Sequence, residues 1–113
     1  MRIPDRASIP DEKLTRYLLI YRARNDKSKF LAQAGFTAQN VESLRTAIRA
    51  LSQSSEAVED RTNEYGTFYE VTGELMGNNG KTLFVTTLWL RRQSDGEFQF
   101  ITLIPAKEPR SDA

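Results

Sequence analysis

The stretch Thr82-Leu-Phe-Val-Thr-Thr-Leu-Trp-Leu-Arg-Arg92 decides the fold. β-Branched and aromatic residues dominate it, and apolar side chains occupy both parities between Leu83 and Leu90. A strand wet on one face alternates; one that is apolar on both sides belongs in the middle of its sheet. Working outward, Gly77-Asn-Asn-Gly80 is a hairpin signal on its N-terminal side. Before that hairpin, Tyr69, Val71, Gly73 and Leu75 alternate with Phe68, Glu70, Thr72 and Glu74, which predicts a strand with one apolar and one polar face. On the other side Ser94-Asp-Gly96 makes a turn, and Phe98 to Ile104 reads as a third strand ended by Pro105. A weaker strand is expected around Ala57 to Thr62, with Tyr65-Gly66 turning the chain. Short connections between neighbours make the sheet antiparallel.

Upstream of residue 55 the apolar period changes from 2 to 3.6. Pro10-Asp-Glu opens a helix over 10–19, with Leu14, Tyr17 and Leu18 as its buried stripe. Asn25 or Asp26 can cap a second helix over 27–34, which turns Phe30, Leu31 and Ala34 inward and stops at Gly35. A third helix over 41–51 follows Asn40, with Val41, Leu44, Ile48 and Leu51 on one face. Helices followed by an antiparallel meander predict an α+β fold, with N-terminal helices packed on a three- to four-stranded sheet. One face of that sheet is left open or covered by a partner. Residues 1–8 read as a flexible arm, 9–105 as a single domain and 106–113 as a flexible tail.

The chain of 113 residues has no histidine and no cysteine. That excludes Ser-His-Asp and Cys-His catalysis, the usual zinc sites and any disulfide framework. No apolar run approaches the roughly 18 residues of a membrane span, and Met1-Arg-Ile-Pro-Asp-Arg lacks a secretory signal, so a cytoplasmic protein is expected. The net charge of +1 is unevenly spread: Lys13 to Lys29 carries +5, and Glu56 to Glu74 carries −5. Such blocks either face each other and solvent or attract phosphate or a charged partner.

Gly80-Lys-Thr82 resembles the end of a phosphate-binding loop, but Leu75 stands where the loop needs glycine and a strand follows instead of a helix. The carboxylates fit neither a calcium loop nor a two-metal cluster, and no metal or cofactor is expected. Glu70 and Glu74 share a strand face about 13 Å apart and need a neighbour from another strand to act. Trp89 reads as core, or else as a platform for a stacked base. Arg91 and Arg92 point to opposite faces. Lys27 and Lys29 diverge by about 200° at the start of the second helix, so one of them leans along the sheet. A lysine placed there beside sheet hydroxyls and an arginine makes a phosphate-handling site without histidine.

Ile9-Pro-x-x-Lys13-Leu-x-x-Tyr17, Lys27-x-Lys29-Phe, Gly35-Phe-Thr-x-x-Asn40, Tyr65-Gly-x-x-Tyr69-x-Val-x-Gly, Val85-x-Thr-x-Trp89 and Ile101-Thr-Leu-Ile-Pro105 occur in this order. Together they resemble a bacterial family of small domains of unknown function, free-standing or at the C-terminus of polymorphic toxins. Its toxin-borne members are similar in architecture to the barnase–EndoU–colicin–RelE group of ribonucleases. Lys27, Trp89 and Thr102 match the family pattern. Arg22-Ala-Arg24-Asn25-Asp26 replaces the histidine and glycines that often precede the lysine, and Gln99 stands near the place of a common proline. The resemblance implies a metal-independent ribonuclease-like toxin of a toxin–antitoxin pair, with RNA and a small antitoxin-like protein as partners. In that reading Lys27 and Arg91 stabilise charge, Tyr65 or Tyr69 and Thr102 give hydroxyl contacts, and Glu70 is the base. The alternative is a non-enzymatic protein-binding module that keeps the fold without catalysis.

Overall fold

The computed structural model describes residues 1–19 and 27–106. The chain forms the expected α+β fold. Two α-helices, α1 (Ser28–Ala32) and α2 (Val41–Ser54), precede four strands: β1 (Val58–Asn63), β2 (Gly66–Met76), β3 (Thr82–Arg92) and β4 (Phe98–Pro105). The sheet is an antiparallel meander in the order β1-β2-β3-β4, so β3 is internal, as its two-sided apolar pattern requires. Cross-strand partners share a face. Tyr69, Val71 and Leu75 on β2 and Leu83, Val85 and Trp89 on β3 therefore form one apolar surface, against which Leu44, Ile48 and Leu51 of α2 and Leu31 of α1 are buried. The opposite face carries Glu70, Thr72, Glu74, Phe84, Thr86 and Leu88 and has no layer over it among the described residues.

The first helix differs from expectation. After one α-turn at Asp11 and Glu12 the chain winds as a π-helix over Lys13–Leu18, and Leu19 N–H reaches back five residues to the Leu14 carbonyl at 2.9 Å. Its buried residues are Leu14, Leu18 and Leu19. Spacings of four and five fall on one side of the wider π turn, whereas an α-helix would swing Leu19 away. The side chain of Tyr17, the third residue of the expected stripe, lies outside the described residues.

Residues 1–8, expected as a loose arm, pack against the sheet instead. Ile3 and Ala7 are buried, as is Ile9 next to them. Ser8 donates to Phe98 O at 3.0 Å and accepts from Phe100 N–H at 2.8 Å, so it covers part of the edge of β4. Backbone groups on an edge strand need such partners, and three apolar side chains on the arm gain burial by supplying them. The expected tail lies outside the described residues apart from Ala106, whose N–H donates to Phe84 O at 2.9 Å. The candidate caps Asn25 and Asp26 also lie outside them.

Candidate functional site

Lys27 stands at the start of α1, and its carbonyl accepts the Leu31 N–H at 3.0 Å. The helix is short, so its position depends on what holds its other end. Leu31 is fully buried, Gly35 takes a positive φ of 86°, and Phe36 N–H returns to Leu31 O at 3.1 Å, closing the helix with a Schellman turn. The β2–β3 hairpin then grips the exposed carbonyls. Asn78 N–H donates to Ala34 O at 2.8 Å, its side-chain amide to Gly35 O at 3.0 Å, and the Asn79 side chain to Gln33 O at 3.0 Å. Gly77 allows this approach, because a Cβ there would lie 2.6 Å from atoms of Ala34 and 2.4 Å from Lys81 O. Sequence reasoning read Gly77 to Gly80 as a turn and missed this clasp. Two asparagines in a row, more than the turn itself needs, were the available signal.

At the other end of α1, the Lys27 ammonium donates to Thr102 Oγ1 at 3.3 Å, joining a helix start to the last strand across 75 positions of sequence. Thr102 lies opposite Leu88, and Leu88 lies opposite Glu70. The three residues thus form one row across the open face. Glu70 and Thr102 are separated by two strand spacings, about 10 Å. Glu70 is exposed, Leu88 half-buried, and Thr102 half-buried under the lysine. Lys27, Thr102 and Glu70 are therefore brought to one surface: a cation and a hydroxyl on one side, a carboxylate on the other, and an apolar floor between them.

Arg91 and Tyr69 do not join them. Both lie on the helix-bearing face, Tyr69 opposite Trp89 and Arg91 opposite Thr67 and Phe98. Tyr69 is buried with its ring 5.6 Å from that of Phe98. Arg91 is exposed at the end of the sheet, beside a cavity of about 210 Å³ that Thr67, Gln93 and Gly96 also line. Alternation along β2 separates Tyr69 from Glu70, and one residue of β4 separates Arg91 from Thr102. Phe98 and Phe100 pair with Arg91 and Trp89, but the next pair is Thr102 with Leu88, which leaves Ile101 as a bulge. A single extra residue reverses every later side chain, so Thr102 leaves the face of Arg91 for that of Glu70. Trp89 is core and not a platform: it is fully buried, edge-on to Phe100, and its indole N–H donates to Thr87 Oγ1 at 2.8 Å.

Of the charge blocks, Arg22 and Arg24 lie outside the described residues. In the acidic block Glu56 meets the Met1 amino group and Arg2, each at 3.6 Å, and Asp60 meets Arg61 at 3.7 Å. Arg61 also covers the Phe68 ring at 4.9 Å. At the β3–β4 turn, Asp95 is held below its ordinary pKa of 3.8, first by the Glu97 backbone N–H and then by Arg92. Among the described residues no group of three acids could hold a metal ion, and no helix is long and apolar enough to cross a membrane.

A family model described as a domain of unknown function, DUF6883, matches residues 2–107. The chain belongs to this family. In a search of curated proteins, nothing matches this DUF6883 chain. Among solved structures it is similar to a chain of a contact-dependent growth inhibition toxin–immunity protein complex from Klebsiella pneumoniae 342. The identity is 18% and the TM-score 0.66, over 87% of the DUF6883 chain and 98% of that chain. At this identity the likeness is one of fold.

Proposed function

We propose that this DUF6883 protein is a metal-independent, ribonuclease-like toxin of a paired system, acting through the row Lys27, Thr102 and Glu70 on the open face. The observation that carries the reading is the 3.3 Å contact from the Lys27 ammonium to Thr102 Oγ1. It holds a cation over a sheet face that carries no further layer among the described residues, at two positions matching a family pattern with ribonuclease-like members. A phosphodiester laid over Leu88 would have the ammonium on one side and the Glu70 carboxylate on the other. Glu70 takes the proton of the RNA 2′-hydroxyl, and the 2′-oxygen attacks phosphorus. The bond to the 5′-oxygen breaks, and that oxygen takes a proton from solvent or Lys27. The products are a 2′,3′-cyclic phosphate and a 5′-hydroxyl. The ammonium offsets the charge that builds on the phosphorane oxygens, and Thr102 fixes where the ammonium stands. The partner is a small antitoxin-like protein that covers this face. A fold shared with a chain of a toxin–immunity complex is compatible with such pairing.

The test is expression without a partner, followed by analysis of RNA ends. Growth arrest with new 2′,3′-cyclic phosphate ends, both lost in Lys27→Ala with folding retained, supports the reading. An absence of arrest and of cleavage across a broad pH range removes it. A second reading, a binding module without catalysis, is favoured by one observation: Arg91 and Tyr69, two of the five expected site residues, lie on the opposite face from the row. Stable co-purification with a neighbouring gene product, with no RNA cleavage by either protein, is its signature.

A further inference from the structure

Tyr65 and Leu90 line a cavity of about 330 Å³ together with Glu64, Arg92, Gln93 and Ser94. The cavity belongs to the open face. Leu90 pairs with Phe68 and Arg92 with Gly66, in the same parity as Leu88 and Glu70. Leu90 lies two residues from Leu88, about 7 Å along the strand, so the cavity adjoins the Lys27–Thr102 row. Its volume falls within the range of clefts that take small ligands, roughly 300–1,000 Å³.

The lining is chemically selective. Tyr65 N–H donates to Asn63 Oδ1 at 2.8 Å, and its carbonyl accepts from Gln93 N–H at 2.9 Å, yet the residue is 66% exposed. The two ties hold the backbone of the turn and leave the aromatic face at the cavity available to a ligand. Arg92 donates to both Asp95 carboxylate oxygens, at 3.1 and 2.9 Å, and to Gln99 Oε1 at 3.1 Å. Its charge is thus matched by a neighbour, and the Glu64 carboxylate adds negative charge at the rim. A phosphate gains nothing here. A flat, neutral heterocycle gains a stacking face, an aliphatic floor, and donors and acceptors at its edge.

We infer that this cavity is a base subsite that takes an unpaired nucleobase of single-stranded RNA, stacked on Tyr65, while the adjoining phosphate lies at Lys27 and Thr102. The inference rests on the RNA reading of the same face. Its test uses a 2′-O-methyl RNA hexamer, which binds but cannot be cleaved, and adenosine 5′-monophosphate as a minimal probe of the cavity. Fluorescence anisotropy of the hexamer should show Tyr65→Ala weakening binding by about tenfold or more, since one stacked base contributes that much. Tyr65→Phe, which keeps the ring, should stay within about twofold of wild type. The mononucleotide should shift the Leu90 methyl resonances in wild type and not in Tyr65→Ala. Thermal melting of both variants should match wild type, because the side chain is exposed. Equal hexamer binding by wild type and Tyr65→Ala overturns the subsite and leaves the RNA reading standing. A mononucleotide shift at Leu90 with no hexamer binding and no cleavage overturns the ribonuclease reading and, with it, the assignment of the cavity to single-stranded RNA. Neither signal overturns both.

Discussion

Replacing Thr87 by valine changes one atom position in the centre of the sheet and should cost far more than its size suggests. Thr87 is fully buried; its hydroxyl donates to Val71 O at 2.9 Å and accepts the Trp89 indole N–H at 2.8 Å. Among the described residues no buried side-chain polar atom lacks a partner, so the network is complete. Valine matches the shape and removes both bonds. The indole N–H of a fully buried tryptophan is then stranded, at about 1–3 kcal/mol, and the bond to Val71 O is lost at about 1 kcal/mol. A more apolar side chain returns part of this, leaving about 2–3 kcal/mol of destabilisation. At about 4 °C per kcal/mol for a domain of this size, Tm should fall by roughly 8–12 °C. Urea denaturation followed by far-ultraviolet circular dichroism should show the midpoint shifted with the slope unchanged. A double-mutant cycle isolates the cause: with Trp89→Phe already present there is no N–H to strand, so Thr87→Val should cost at least about 1 kcal/mol less. A loss below about 0.5 kcal/mol in the single variant, or no coupling in the cycle, refutes the network as a source of stability.

Other consequences follow from the same packing. Gly77→Ala drives a methyl group into Ala34 and Lys81 O, and should destabilise by about 1–3 kcal/mol, with faster hydrogen exchange at the Asn78 amide that bonds Ala34 O. Ile3→Ala should cost about 2–4 kcal/mol by denaturant titration, because the arm contributes a buried side chain; a neutral result would return residues 1–8 to a loose arm. Asp95 has a folded pKa below 3.8, so its contribution is complete above that value and is lost as pH falls through the folded pKa. Carboxyl-carbon NMR should show a midpoint below 3.8, moved up toward it by Arg92→Ala. A midpoint at or above 3.8 in the unsubstituted protein would contradict the arrangement at this turn.

How much of this was legible depended on whether a feature has a local cause. Thr82 to Arg92 is read correctly at both ends because its residues carry the whole signal: two-sided apolar pattern, β-branching, and turns that bracket it. β1 is faint because all six of its residues are exposed, so no buried face imposes alternation. The π-helix was missed because Leu14 and Leu18 satisfy an α period, and only Leu19 distinguishes the two. The arm was misread because Ile3, Ala7 and Ile9 show no regular period, and the segment is held by distant partners, Arg49 of α2 at Asp5 O and Ala7 O and the edge of β4 at Ser8. The site divides in the same way. Lys27 and Thr102 were singled out together through the family pattern, and they touch. Arg91 and Tyr69 were named for their chemistry; the alternation of β2 already sets Tyr69 on the face opposite Glu70, and the bulge at Ile101 sets Thr102 on the face opposite Arg91. A bulge is a property of pairing between strands, and its one local trace is the change of apolar parity from Phe98 and Phe100 to Ile101 and Leu103.

The central claim is that function resides on the open face, in the row Lys27, Thr102 and Glu70, and not on the face of Arg91. The most direct measurement is the single-turnover rate of cleavage of an end-labelled single-stranded RNA by wild type, Lys27→Ala, Glu70→Gln and Arg91→Ala, each shown to be folded. Removing a group that stabilises transition-state charge costs about 10²–10³ in rate. The account predicts a loss of that order for Lys27→Ala, a comparable loss for Glu70→Gln, and a rate within about threefold of wild type for Arg91→Ala. A rate that falls with Arg91→Ala and survives Lys27→Ala would contradict it.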